Sequence, residues 1–237
     1  MDTISNPFET LTRRRFAVMD GLLSGHDARC VSQISQFRND PDFAVIYGRV
    51  MEARTAWNVA YLRWTVSRRT HKGRTFAVNQ LIAELRGRHI GLWQLMIERT
   101  DLENQTWIKG TPAFERLFPE GRRPFQQGGI DSRLNAVGGL CAALDGIPAL
   151  TDVRRAVGIF HTMLTTARRL QLEVSVEMKL ASAALETQRR SAAGTLYRNM
   201  ARLMEKFADD PPAVRKFFDP KYLTKSPPKR RALLEKR

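Results

Sequence analysis

Residues 40–69 read DPDFAVIYGRVMEARTAWNVAYLRWTVSRR and decide the fold of this chain. Asp40-Pro41 is a helix-start signal, because Asp caps free backbone N–H groups and proline suits the first helical turn. Two sets of side chains then recur every seven residues, one at Phe43, Val50, Trp57 and Trp64 and one at Ile46, Ala53, Ala60 and Ser67. This heptad seam predicts a helix that packs lengthwise along another helix, with the Trp64 ring buried.

A second long helix is expected from about residue 75 to residue 104. One of its faces is apolar, with Val78, Ile82, Leu85, His89, Leu92 and Met96. We expect the first helix to end near Arg69 and Thr70-His71-Lys72-Gly73 to form the connection. A connection this short between two long amphipathic helices predicts an antiparallel hairpin.

Residues 151–208 contain only two glycines and no proline, so they also favour helix. Heptad spacing continues through Val157, Leu164, Gln171, Met178 and Leu185. One continuous helix would be about 87 Å long at 1.5 Å per residue, too long for a compact domain of this size. We therefore expect a second hairpin, with its turn between residues 172 and 190.

The remaining segments are predicted to be short. Helices are expected at 7–23 and 27–38 on either side of a break at Gly25-His26-Asp27, at 113–118 where Thr111-Pro112 opens the helix, from a cap at Asp131 to Gly146, and at 213–218. The only loop rich in glycine and proline spans residues 119–129. The predicted domains are N-terminal short helices (1–40), a helical bundle (41–224, with halves 41–148 and 149–224) and a basic flexible tail (225–237).

The two halves of the bundle resemble each other. A shift of 114 residues places Phe43 on Val157 and Val50 on Leu164, a shift of 104 places Met96 on Met200, and a shift of 100 superposes AFERLF on AVRKFF. Any two heptad helices can be aligned, but that does not explain the third match. The prediction is an all-α antiparallel bundle of two related helical hairpins, an internal duplication with a short helix after each hairpin.

The chain is strongly basic, with 39 Lys and Arg against 24 Asp and Glu and a formal net charge of +15. A basic excess favours polyanionic partners such as nucleic acid. Three clusters are candidates for binding a polyanion: Arg13, Arg14 and Arg15; Arg122 and Arg123; and Lys229, Arg230 and Arg231. The alternative interpretations are a solvated surface and the amino-acid bias of a GC-rich genome, because arginine outnumbers lysine 30 to 9.

No motif predicts catalysis, a metal site or a cofactor. The residues three positions before the four histidines are Leu23, Arg68, Arg86 and Gly158, so the Glu-x-x-His pattern of a di-iron bundle is missing. His-Glu-x-x-His, a Gly-rich phosphate loop and Gly-x-Ser-x-Gly are missing as well. The sequence predicts that His89 and His161 lie at the edge of a core. An enzyme whose site is assembled from scattered residues remains an open alternative.

The expected cellular location of the protein is based on the absence of three sequence patterns. Two cysteines do not form a disulfide framework, and no run approaches the ~18 apolar residues of a transmembrane helix. The N-terminal residues also lack the pattern of a signal peptide, so we expect a cytoplasmic, bacterial protein. The predicted function is that of a non-catalytic binding or structural protein whose partner is another protein or a second copy. The alternative is non-specific association with nucleic acid.

Overall fold

The structure is a computed structural model that describes residues 6–12 and 16–218. This part of the chain contains helices and loops and no strand, so the all-α prediction is confirmed. The helices in chain order are α1 (Pro7–Thr12), α2 (Phe16–Gln33), α3 (Pro41–Glu84), α4 (Ile90–Arg99), α5 (Pro112–Leu117), α6 (Arg123–Gln126), α7 (Ile130–Ala143), α8 (Thr151–Lys206) and α9 (Pro211–Val214). A π-helical segment, Leu85–His89, joins α3 to α4, and a 3-10 turn, Pro148–Leu150, precedes α8.

Two predicted helix starts are formed by the expected caps. Asp40 Oδ1 accepts hydrogen bonds from the backbone N–H groups of Asp42 and Phe43, at 3.0 and 3.2 Å. Thr111 Oγ1 accepts one from Phe114 N at 3.3 Å, and Pro112 opens α5. These starts are confirmed because a capping side chain and the amides it binds are close in sequence. At the start of α7 the cap is Gly129, so the prediction that Asp131 is the cap is wrong.

The predictions of three breaks between helices are wrong, because the helix is continuous at each of these places. Residues 70–73 lie within α3, Gly25 to Asp27 lie within α2, and residues 172–190 lie within the 56-residue α8. A lone glycine interrupts a helix only weakly, so tertiary contacts decide whether the helix continues. A 56-residue helix is compatible with compact folding here, because α8 contributes to two compact units rather than to one. The predicted turns of both hairpins therefore do not form.

Other boundaries differ by a few residues. The second long helix ends at Arg99 rather than residue 104, and its first part belongs to α3. The loop at 119–129 contains the short helix α6, and α9 replaces the predicted helix at 213–218. The predicted tail, residues 225–237, lies outside the described residues. The domain boundaries at residues 40 and 224 stay predictions.

Unit 1 contains the described residues up to Val66 and those from Lys179 onward, and it includes α1, α2, α9, the first half of α3 and the second half of α8. Within it the α3 and α8 segments run antiparallel, because Asp42 pairs with Arg202 and Asn199 donates to the carbonyl oxygen of Ile46. Its core includes Phe8, Met19, Leu23, Ile46, Val50, Trp57, Leu185, Leu196, Leu203, Phe217 and Phe218. Trp64 is only half-buried at the edge of this core, so the expectation of a buried ring is wrong.

Unit 2 comprises residues 67–178, with the second half of α3, helices α4 to α7 and the first half of α8. Its own core includes Val78, Ile82, Leu85, Trp93, Phe114, Phe118, Val137, Leu140, Val157, Phe160 and Leu164. Gln171 on α8 donates to Thr75 Oγ1 on α3 at 3.2 Å. Arg168 forms a two-pronged ion pair with Asp131 on α7, with both distances 2.8 Å. These polar contacts tie α8 to its neighbours around the apolar core.

Candidate binding surfaces

Of the three predicted basic clusters, only Arg122 and Arg123 lie among the described residues. Both side chains are exposed on unit 2, and the Nε–H group of each donates a hydrogen bond to a glutamine side chain. Arg122 donates to Gln94 Oε1 at 2.5 Å, and Arg123 donates to Gln127 Oε1 at 3.1 Å. Their remaining N–H groups can meet a phosphate from solvent. Arg13, Arg14, Arg15, Lys229, Arg230 and Arg231 lie outside the described residues.

A stronger basic feature lies on α3. Between Glu52 and Glu84 the helix carries no acidic residue, although it carries six Lys and Arg. Four of them fall in unit 2 and are exposed, at Arg68, Arg69, Lys72 and Arg74. This run without acidic residues can be recognised in the sequence, and it indicates a basic surface more clearly than the three short clusters do. A run of cations on one exposed helix creates a local positive potential.

An apolar groove separates α3 from α8 in unit 2. Its volume is about 380 Å³, and its lining residues are Arg74, Ala77, Leu81, Thr162, Met163, Thr166, Ala167 and Leu170. The lining is mostly apolar, with Arg74 as its one charged side chain. Met163 in the groove and Ile159, one turn before it on α8, are 50% and 57% exposed. Exposed apolar side chains beside an apolar groove mark a surface suited to a protein partner.

A second apolar surface lies on the part of α3 that belongs to unit 1. Val59, Leu62 and Val66 follow helical spacing, and the first two are 65% and 66% exposed. The opposite side of the same segment buries Ile46, Val50 and Trp57. A helix that is apolar on opposite sides is typical of a helix covered on both. The heptad positions do not indicate this second face, because they include only residues of the seam.

His26 is the centre of a buried polar cluster in unit 1. Its Nδ1–H donates to the carbonyl oxygen of Phe217 at 2.8 Å, and its Nε2 accepts from Asn199 Nδ2 at 3.2 Å. The amide Nδ2 also donates to Ile46 O at 3.0 Å. The ring stacks on Phe218, with centroids 4.4 Å apart. Cys30 Sγ lies 3.9 Å from Nδ1. The cluster holds α2, α3, α8 and the end of the described chain together.

The cluster contains a thiol, an imidazole and an amide, the groups of a nucleophile, a base and an orienting residue. Its electrostatics oppose that use. Burial lowers the pKa of His26 to about 4, against smaller raising effects of the Phe217 hydrogen bond and of Asp27. Burial also raises the pKa of Cys30 to about 12, so neither the thiolate nor the imidazolium is favoured. The arrangement acts as a structural hydrogen-bond network.

The two histidines predicted to border a core lie in unit 2. His89, in the π-helical segment, contacts the rings of Trp93 and Phe160 with centroids 5.6 and 4.5 Å apart. Desolvation lowers its pKa, outweighing the charge of Glu84. The Nε2 atom of His161 lies 3.0 Å from the place that a Cβ on Gly138 would occupy. Neither histidine belongs to a metal-binding group, since the described residues contain no cluster of three His, Cys, Asp or Glu.

Comparison with known proteins adds no family. No protein-family model matches the chain, and no curated protein or solved structure shows significant similarity to it. Within the described ranges, none of the helices combines the length and hydropathy needed to span a membrane. Function is therefore inferred from the surfaces of the two units.

Proposed function

We propose that this chain is a non-catalytic helical protein that self-associates by binding a helix of a second copy in the apolar groove of unit 2. The observation that carries the proposal is the groove itself, which exposes Ala77, Leu81 and Met163 beside a single charge, Arg74. Residues 74, 77 and 81 follow helical spacing, as do 163, 167 and 170. Two parallel rows of small and apolar side chains suit a helix bound in a groove.

The charges favour a helix that carries acidic residues. Arg74 lines the groove, and Arg69 and Lys72 are exposed in the preceding turns of α3. The chain also offers such a helix, because α8 exposes Leu172 and Val176 together with Glu177, beside Glu173, which pairs with Arg169. A symmetric dimer requires that one chain carry both a binding surface and its complement, so that each copy can bind the other. The groove and the exposed face of α8 are such a pair.

The test is the molar mass in solution as a function of concentration, measured by light scattering after size exclusion. Dimer formation should weaken at least tenfold in Met163→Glu, because the charge would be buried in the groove. Asn135→Glu is the matched control, since Asn135 is exposed on α7 of unit 2 and belongs neither to the groove nor to the exposed face of α8. A chain that stays monomeric at all concentrations would contradict self-association, and the partner would then be a different protein.

The second candidate function is non-specific association with nucleic acid through Arg and Lys contacts to phosphates. The acid-free run of α3, with Arg68, Arg69, Lys72 and Arg74 exposed, favours it. Log affinity for duplex DNA should fall with log salt at a slope of about −0.9 per phosphate neutralised. Arg122→Ala with Arg123→Ala should reduce that slope by up to ~2. Absence of binding at low salt would exclude this function.

The internal duplication remains part of the proposal, in a form without hairpin turns. In the sequence alignment of the two halves, Phe43, Ile46 and Val50 on α3 correspond to Val157, Phe160 and Leu164 on α8. All six side chains are buried. It also maps Leu117 and Phe118, at the end of α5, onto Phe217 and Phe218, which follow α9, and all four are buried. In this alignment the α3 segment of unit 1 corresponds to the α8 segment of unit 2, and α5 of unit 2 corresponds to α9 of unit 1. Each unit would then combine parts of both repeats.

A further inference from the structure

Two clefts lie along the α3 and α8 segments of unit 1, and two arginines line both. One cleft, of about 530 Å³, is lined by Asp42, Arg49, Arg198, Ala201, Arg202, Glu205 and Lys206. The other, of about 440 Å³, is lined by Arg49, Glu52, Ala53, Ala56, Gln188, Ser191, Ala192, Thr195 and Arg198. Arg49 and Arg198 therefore mark the place where the two clefts meet.

The other two cations of these clefts are already neutralised. Arg202 donates to Asp42 Oδ1 through Nε at 3.1 Å and through an η nitrogen at 2.6 Å. Lys206 forms an ion pair with Asp40, and its hydrogen bond is the main cause of a lowered pKa at that carboxyl. These pairs hold the ends of α3 and α8 together and leave no net charge to attract a ligand.

Arg49 and Arg198 are not neutralised in this way. Among the described residues Arg49 has no hydrogen bond or ion pair, although it is half-buried, and Arg198 makes one 3.5 Å contact, with Thr195 Oγ1. Glu52 and Glu205 also line the clefts, but neither lies within ion-pair distance of the two guanidinium groups. Arg49 is half-buried and Arg198 is exposed, and both line the same clefts. Two guanidinium groups on facing helices, without a carboxylate partner, can bind the oxygens of one anion.

The surroundings of the pair restrict the ligand. Ala53, Ala56 and Ala192 make one cleft deep, because their short side chains leave the space beside α3 and α8 open. Ser191, Thr195 and Gln188 supply neutral hydrogen-bond donors along its wall. Glu52 and Glu205 lie beside the pair and repel an extended chain of phosphates, so a compact anion fits better than nucleic acid.

We infer that Arg49 and Arg198 form a binding site for a compact phosphorylated ligand in unit 1. The two planar guanidinium groups contact the phosphate oxygens, and the hydroxyl and amide groups of the deeper cleft contact the rest of the ligand. This site is independent of the groove proposed for self-association, which lies in unit 2. Either proposal can fail without the other.

The test uses sodium pyrophosphate as the probe at low ionic strength, with isothermal titration calorimetry and thermal unfolding of the full chain. Binding should saturate with one site in the wild type and weaken at least about tenfold in Arg49→Gln and in Arg198→Gln, since each variant loses a charged hydrogen bond. Arg190→Gln is the matched control, because Arg190 is an exposed arginine of the same α8 segment that pairs with Glu186 and lines neither cleft.

Three results would overturn the inference. They are no saturable binding of pyrophosphate, equal binding by Arg49→Gln and the wild type, and equal stabilisation by sodium acetate at matched ionic strength. Circular dichroism spectra should be the same for all variants, because Arg49 and Arg198 make no contact whose loss would unfold unit 1. If a glutamine variant does unfold, Arg49→Lys and Arg198→Lys keep the charge but lose the planar fork. These variants should still bind more weakly than the wild type.

Discussion

Trp57 lies in the core of unit 1 with none of its surface exposed, and its indole N–H donates to Asp20 Oδ1 at 3.1 Å. Trp64, one heptad later on α3, is half-buried, with its ring centroid 5.3 Å from that of Phe16 and 5.8 Å from that of Tyr61. The two tryptophans therefore share a seam position but differ in how much apolar surface they remove from water.

The first prediction follows from this difference. Trp57→Ala should cost about 3–5 kcal/mol of the free energy of unfolding, because it leaves a cavity and an unpaired Asp20. Trp64→Ala should cost clearly less, since part of its ring already meets solvent. Urea denaturation followed by circular dichroism measures both values. If both variants lost the same free energy of unfolding, Trp57 would not be more deeply buried than Trp64.

His26 makes the stability of unit 1 depend on pH. Its pKa is about 4 in the folded chain and 6.5 when unperturbed. Between these values the unfolded chain binds a proton that the folded chain does not, so stability falls as the pH falls from 6.5 to 4. The full loss is on the order of 3 kcal/mol. Below this window the ion-paired carboxyls with lowered pKa values, such as Glu186, add further losses.

The second prediction isolates His26 with a variant that cannot titrate. His26→Gln should be less stable than the wild type at pH 7, because it loses the stacking on Phe218. It should lose less stability than the wild type does between pH 6.5 and 4.5. Urea titrations at several pH values measure both. An unchanged pH dependence in His26→Gln would show that His26 is not the titrating group.

At the scale of elements, the long helices α3 and α8 continue where the sequence favours a turn. Gly73 lies inside α3, no atom lies within 4 Å of the position for a Cβ, and its φ is not in the left-handed region. Gly146, after α7, has a φ of 76°. The position of Gly73 therefore accepts a side chain, whereas the backbone conformation at Gly146 favours glycine.

The third prediction uses this contrast. Gly73→Ala should raise the free energy of unfolding by about 0.5–1 kcal/mol, since alanine favours a helix interior. Gly146→Ala should lower it by about 1–2 kcal/mol, because a Cβ strains the left-handed conformation. Chemical denaturation of the two variants beside the wild type measures both signs. A destabilised Gly73→Ala would indicate that residues 70–73 form the turn after all.

The extent to which sequence predicts these elements depends on the range of the interactions. The starts at Asp40-Pro41 and Thr111-Pro112 are local and could be predicted. The continuation of α3 and α8 could not, because it depends on which distant residues cover each segment. The site at Arg49 and Arg198 is also non-local, since only the antiparallel arrangement brings residues so distant in sequence together. The acid-free run of α3 could have been found by scanning for gaps between acidic residues.

On the scale of the whole molecule, each unit takes helices from both halves of the chain. The core of unit 1 contains Val50 from the first half and Leu196 from the second, and that of unit 2 contains Ile82 and Leu164. A cut between Gly146 and Ile147, in the turn after α7, therefore divides both cores. Neither fragment retains one complete unit.

The fourth prediction is that residues 1–146 and 147–237 fold only together. Each fragment alone should lose most of its helical signal, because a long helix without its apolar partner is marginal in water. An equimolar mixture should recover the circular dichroism spectrum of the intact chain and elute as one complex. The control is the intact protein cleaved at an inserted protease site between the same residues, which should stay folded. A fragment that unfolds cooperatively alone would contradict the division of both cores, since it would need a core made from one half of the chain.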